Sequence, residues 1–166
     1  MKTLFASDCG YDLSISRLKS ASIFGALSPE AITFLLEHGA LEELDEGEVL
    51  FKEDEVADAF YIVLDGSLKL CRGDEKAADV KFGEGSIGFG EEIGYVTMIA
   101  LHPRAADVIA TQTTLVLKIN SYVFGQFHDY HSFDFGILIL NLSRDMARKL
   151  RMVSEALARH HIDVDK

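Results

Sequence analysis

The sequence predicts an α+β domain that is mainly β: an antiparallel β-roll or jelly roll (a double-stranded β-helix), with helices before it and one long helix after it. Three observations predict this. From residue 40 to 118 the apolar residues recur with a period of two, in short runs separated by glycine or acidic turns. On both sides of that region the period changes to that of a helix. A hydrophobic fraction of 48% and a charged fraction of 26% over 166 residues describe an ordinary folded domain, long enough to bury roughly two-thirds of its extended surface.

The first helical region is read over residues 12 to 38. In SPEAITFLLEHG, Ser28 is a natural N-cap, Pro29 fits the first helical position and Gly39 follows the last turn. Ala31, Phe34, Leu35 and His38 share one face, which reads His38 as a packed helix-end residue. DLSISRLKSASIF before it has a weaker period, with Leu13, Leu18 and Phe24 inward. The strand candidates follow: EVLFKE (48–53), AFYIVLDG (59–66), SLKLCR (67–72) and DVIATQTTLVLKI (107–119). LDGSL at 64–68 is expected to be a tight hairpin with Gly66 at positive φ. EEIGYVTMIAL breaks the alternation with helix-like spacing of Ile93, Val96 and Leu101. After the roll, SYVFGQFHDY forms a short helix and residues 133 to 161 a long one. There Ile139, Leu142, Met146, Leu150, Val153 and Leu157 make a heptad-like seam, read as a dimer contact.

The bulk properties exclude several function classes. A formal charge of −11 repels nucleic acid, whose binding rests on Lys and Arg neutralising phosphates. The late basic run RDMARKLRM is read as a helix face pairing with Asp145 and Glu155. Cys9 and Cys71 form no CxxC pair, so neither zinc nor a disulfide framework is expected. No apolar run reaches spanning length and no leader pattern opens the chain, so no membrane contact and a cytoplasmic location are expected.

The chemistry concentrates in GFGEEIGYVTMIALHPRAADVIA, residues 88 to 110. Glycines allow close backbone approach to a ligand, and a short helix start with one arginine suits a single phosphate. A carboxylate beside a phosphate makes sense when it accepts hydrogen bonds from hydroxyls, as on a ribose. Phosphate plus ribose, without lysine or a P-loop pattern, points to a small nucleotide of low charge. The plainer reading is a surface bridge from Arg104 to Glu91, Glu92 or Asp107, worth less than about 1 kcal/mol.

From about Ile23 to Ala158 the chain resembles the cyclic nucleotide-binding domain family. The resemblance rests on IFGALSPEAITFLLEHG, the Gly47 and Gly66 turns around FYIVLDGSLKL, FGE at 89–91, PRAADVIA at 103–110 and the final helix LSRDMARKLRMVSEAL. It implies that Arg104 pairs with the cyclic phosphate, that Glu91 accepts the ribose 2′-hydroxyl, and that backbone amides around Gly90, Ala105 and Ala106 complete the cradle. Aligning IGY instead assigns the ribose to Glu92; the segment from glutamate to arginine is a few residues longer than the family's. Ala105 favours cyclic AMP over cyclic GMP as ligand, and Ser154 matches a position that can meet the adenine edge.

The same roll also serves cupin-like metal enzymes, which need two close histidines and a glutamate on strands. His38, His102, His128, His131, His160 and His161 form no such set, so neither catalysis nor a metal is expected. The expected organisation is a helical extension (1–22), a ligand-binding domain with its final helix (23–161) and a tail (162–166). The expected function is a stand-alone cyclic nucleotide-binding regulatory module, signalling through residues 133–161 to a protein partner or its own homodimer. Direct DNA binding is not expected. The competing expectation is a degenerate roll that acts as a ligand-free interaction module. The two part at Arg104: binding predicts it exposed in a pocket with free amides nearby, whereas the degenerate roll predicts it consumed by a carboxylate and the pocket filled by side chains of the 93–101 insertion, such as Tyr95 or Met98.

Overall fold

A computed structural model of the chain describes residues 1–5, 10–71 and 86–159. Cys9, Arg72, His160, His161 and the expected tail at 162–166 lie outside the described residues.

Among the described residues, eight strands form two antiparallel sheets. They are β1 (Lys2–Leu4), β2 (Ala40–Leu44), β3 (Val49–Phe51), β4 (Ala59–Asp65), β5 (Leu68–Cys71), β6 (Glu92–Ile93), β7 (Asp107–Ala110) and β8 (Thr114–Asn120). The larger sheet runs β1-β2-β8-β4-β6 and the smaller β3-β7-β5. Between them lie Leu44, Leu50, Phe51, Tyr61, Val63, Leu68, Val108 and Val116. The alternate residues of β4 and β8, including Phe60, Ile62, Leu64, Leu115, Leu117 and Ile119, face the other way and pack on the helices. The period of two therefore sorts residues between two cores rather than between core and water, and every residue from Ala59 to Leu64 is buried.

The helices are α1 (Ile15–Leu18), α2 (Pro29–His38), α3 (Tyr95–Ile99), α4 (Ser121–Tyr130) and α5 (Ser132–Arg159), with a 3₁₀ turn at Ser22–Phe24. The Ser28 hydroxyl accepts the Ala31 amide at 3.1 Å and caps α2. Asp134 at the start of α5 in turn accepts from the Ser28 amide and hydroxyl, tying the two helices together. His38 is exposed and stacks on Phe34 with ring centroids 4.0 Å apart.

Four expectations need correction. Residues 12–38 are not one helical run, because the chain turns at Gly25 and at Ala26, whose φ is +65°. The stretch read as a helical extension starts instead with β1, which pairs Leu4 with Leu41 at the edge of the larger sheet. Residues 64–68 do not make a hairpin. Gly66 does have φ +82°, and a Cβ there would lie 2.4 Å from Thr113 O, but the turn carries the chain from one sheet to the other. For the same reason residues 107–119 are two strands, with β7 in the smaller sheet and β8 in the larger.

Helix α5 has two halves. Leu138 and Leu142 are fully buried and Met146 packs against the same core. Beyond it Leu150 is 68% exposed and Met152 48%, with Val153 and Leu157 half-buried.

Candidate functional site

The site grows from the segment between β6 and β7. Gly94 adopts φ +89° and starts α3, which turns the chain back over the end of the roll. Leu101 follows at φ +55°. The chain then re-enters the smaller sheet through Arg104, whose backbone is stapled to the β3–β4 loop: its amide donates to Glu55 O at 2.9 Å, and its carbonyl accepts from the Asp54 amide at 3.0 Å.

That staple sends the Arg104 side chain inward, where it is only 3% exposed. Its Nη2 donates to Ala59 O at 2.6 Å, and its Nη1 to Gly94 O at 3.1 Å and Thr97 Oγ1 at 3.2 Å. The guanidinium lies 4.2 Å from the Phe51 ring centroid and 5.8 Å from that of Tyr61. Nε has no partner. Among the described residues no carboxylate lies within 4.0 Å of this cation. Burial lowers its pKa from the ordinary arginine value, against the attraction of Tyr61, Asp58 and Glu55. Gly94 is required beside it, since a Cβ there would lie 2.4 Å from Nη1.

The two glutamates diverge because neighbours on a strand point to opposite sides. Glu91 is exposed and accepts the Gly88 amide at 2.7 Å, closing its own turn. Glu92 is 3% exposed and sits in β6 opposite Ile62. One oxygen accepts the Tyr95 amide at 3.3 Å, and the other accepts Lys149 Nζ of α5 at 3.0 Å. Lys149 also pairs with Asp145 at 2.7 Å, and Arg148 holds the same carboxylate. Burial works against the Lys149 ammonium, but Glu92 and Asp145 outweigh it and raise its pKa. Asp145 is held below the usual carboxylate range, its own burial being outweighed by hydrogen bonds from Lys149 and Arg148.

Of the residues singled out in the sequence, Arg104 and Glu92 meet at the first turn of α3, one on the Gly94 carbonyl and the other on the Tyr95 amide. Gly90 does not offer its amide, which donates to Val63 O at 2.8 Å; its φ of +77° lets the chain pass Ala21 closely. Ala106 is buried and Ala105 exposed. Ser154 turns its hydroxyl back to Leu150 O at 2.9 Å within α5.

Arg104 meets neither expectation in full: it is buried rather than exposed in a pocket, and carbonyls with Thr97 of the 93–101 insertion engage it, not a carboxylate. Tyr95 and Met98 are buried, but in the core beneath the helices, where Tyr95 packs edge-on to Phe60 and Phe124. Sequence reasoning missed Lys149, Thr97, Phe51 and Tyr61. Only Lys149 carried a signal, as the member of RDMARKLRM four residues after Asp145. The expected pairing of that run with Asp145 and Glu155 is present, in Arg148–Asp145 and Arg151–Glu155.

Farther into the roll, Glu42 is buried with Oε2 unpartnered and its other oxygen 3.7 Å from Lys118. Tyr61 nearby has its pKa pushed up to about 12, first by burial and then by Glu42. No described helix is long and apolar enough to cross a membrane.

Comparison with known proteins identifies the family and the fold. The profile of the family described as Cyclic nucleotide-binding domain matches residues 41–131, more than half of the chain. The cAMP-dependent protein kinase regulatory subunit of Yarrowia lipolytica is 28% identical over 102 residues, 61% of this chain and 25% of that protein. The lysophospholipase NTE1 of Pyricularia oryzae is 29% identical over 112 residues, 67% of this chain and 7% of that one. The chain thus spans a quarter or less of the length of these relatives. Among solved structures, the catabolite activator protein of Thermus thermophilus superposes with a TM-score of 0.69 at 20% identity, over 85% of this chain and 63% of that one. A cyclic nucleotide-binding domain from Methylobacillus flagellatus superposes with a TM-score of 0.70 at 17% identity, over 87% and 80%. At these identities the structures speak to the fold, and the profile match speaks to the family. This chain belongs to the cyclic nucleotide-binding domain family.

Proposed function

We propose that the chain is a regulatory module that binds cyclic AMP, with Arg104 as phosphate anchor and Glu92 as ribose anchor. The observation that carries this reading is the state of Arg104. An arginine 3% exposed, with no carboxylate within 4.0 Å among the described residues and Nε unpartnered, is a buried charge without a direct ion pair. Such burial costs several kcal/mol when no anion is present to offset it. A cyclic phosphate supplies one negative charge and acceptors for the guanidinium fork. Glu92 is preferred over Glu91 because it stands at the same turn as Arg104, whereas Glu91 is turned away to Gly88. Ala105 in the place next to the arginine favours cyclic AMP over cyclic GMP, and the printed name of the Yarrowia relative points the same way.

Binding in this form requires rearrangement. Arg104 must leave Ala59 O, and the affinity measured is lowered by the fraction of molecules in which it has done so. The signal leaves through α5, whose second half offers Leu150, Met152, Val153 and Leu157 to a second copy or to a protein partner.

A second reading, a roll that no longer takes ligand, is favoured by the enclosure of Arg104 and the engagement of Glu92 by Lys149. Calorimetric titration with cyclic AMP and cyclic GMP, beside Arg104→Ala, separates the two. The sensor reading expects wild-type binding, preferring cyclic AMP, and a loss of about 1.5–3 kcal/mol in the variant. If neither protein binds either nucleotide at millimolar concentration, the scaffold reading replaces it.

A further inference from the structure

We propose that the chain carries a second ligand site, sharing no residue with the one around Arg104: a cleft between the 3₁₀ turn and α5 that binds a small phosphate monoester.

The cleft, about 310 Å³ in volume, is lined by Ser22, Gly25, Ala26, Asn141, Arg144 and Arg148. Two cations and no carboxylate line it, in a chain whose 27 acidic residues outnumber its 16 basic ones. Arg144 and Arg148 stand one turn apart on one helix face, where like charges repel each other. Arg148 engages Asp145 through Nη2, and that carboxylate also holds Lys149 at 2.7 Å, so it keeps a partner when Arg148 turns to a ligand. Among the described residues Arg144 has no carboxylate within 4.0 Å; its Nη1 donates instead to Asn141 Oδ1 at 3.1 Å.

The same asparagine fixes the facing wall. Its Nδ2 donates to Ile23 O at 3.1 Å and to Gly25 O at 2.8 Å, which leaves Oδ1 to Arg144. Gly25 has φ −56° and ψ 131°, Ala26 has φ +65°, and the Leu27 amide returns to Phe24 O at 3.1 Å. This is a type II turn with alanine at the position that ordinarily asks for glycine. Held in that conformation, the Ala26 amide has no partner among the described residues, and neither has the nearby Ser22 hydroxyl.

Donors therefore line both walls, two guanidiniums on α5 and an amide and a hydroxyl on the turn. A planar carboxylate is matched by one guanidinium fork, whereas a tetrahedral phosphate presents acceptor oxygens in several directions at once. The volume lies at the lower end of the range for ligand pockets, which leaves space for a small organic residue beyond the phosphate. The net charge of −11 opposes long-range attraction of any anion, so contacts inside the cleft must carry the affinity.

The test titrates the full chain with glycerol 3-phosphate at constant ionic strength and about pH 7.5, where the monoester is close to a dianion. Amide NMR is expected to show Ser22, Gly25, Ala26 and the Asn141 side chain shifting together to saturation. Arg144→Gln is expected to weaken binding about tenfold, through loss of a charge-assisted contact. Arg151→Gln removes the same charge from α5 outside the cleft and is expected to leave the affinity unchanged. Inorganic phosphate is expected to shift the same resonances with about tenfold lower affinity, because it fills less of the cleft.

Absence of saturation by about 20 mM ester overturns the site. Equal weakening in Arg144→Gln and Arg151→Gln overturns it too, by reducing the effect to general charge. Shifts confined to residues 94–106 place the ester at Arg104, which overturns the second site and leaves the nucleotide reading standing. Inorganic phosphate bound as tightly as the ester overturns the monoester assignment.

Discussion

The two halves of α5 lend themselves to a paired substitution, Leu142→Ala and Leu150→Ala. Both leucines belong to the same seam and lie eight residues apart, yet Leu142 is 0% exposed and Leu150 is 68% exposed. Truncating Leu142 removes its methyl groups from a packed core and leaves a cavity, at a cost of about 3–4 kcal/mol. With a urea dependence of about 2 kcal/mol per molar for a chain of this size, the unfolding midpoint falls by about 1.5–2 M. Truncating Leu150 in a single chain changes stability by less than about 0.5 kcal/mol, since an exposed helical position accepts alanine well. If the second half of α5 joins two copies, the wild-type midpoint rises with protein concentration, and Leu150→Ala abolishes that rise. Urea unfolding followed by far-ultraviolet circular dichroism, at concentrations about a hundredfold apart, reads both effects. A loss of several kcal/mol in Leu150→Ala that is independent of concentration would refute the reasoning, because it places Leu150 against its own roll. A cost below about 1 kcal/mol for Leu142→Ala would refute the assignment of that residue to the core.

Two further outcomes are expected. Gly90→Ala puts a Cβ 2.3 Å from that of Ala21 at a φ of +77°, so strain and overlap together cost about 2–4 kcal/mol in chemical denaturation. Adding Ala21→Gly recovers the overlap and not the strain, so a full rescue or none contradicts the geometry. Tyr61 ionises near pH 12, which makes its folded form bind the proton more tightly than the unfolded chain does near pH 10. Its contribution to stability is therefore complete below pH 10 and lost as the pH rises from there through 12. Absorbance titration is expected to show a late tyrosine step that Tyr61→Phe removes; an unchanged titration in the variant would count against the buried assignment.

Much of this molecule was legible before folding because the signals are local. Ser28, Pro29 and Gly39 bound α2 through caps and dihedral preferences that act over a few residues. The period of two over 40–118 announced strands, and GYVTMIAL announced the short helix that interrupts them. The order and spacing of several pieces from IFGAL to the final helix, FGE and PRAA among them, pointed to the family and drew attention to Arg104 and the paired glutamates.

What local pattern could not hold is which strand lies beside which, and hence what each buried side chain meets. Gly66 marks a turn equally well whether β4 and β5 pair or part, and only the pairing of β4 with β8 and of β5 with β7 decides between them. The same closure brings Ala59 O to Arg104 across 45 positions and Lys149 to Glu92 across 57. Those contacts form because many distant elements are ordered together, and no window of sequence contains both partners. The residue types suited to a phosphate and a ribose were determined by the sequence itself. The tertiary structure alone decided that the arginine is held inside the roll, that the second of the two glutamates stands at the same helix start, and that a lysine of the last helix already occupies that glutamate.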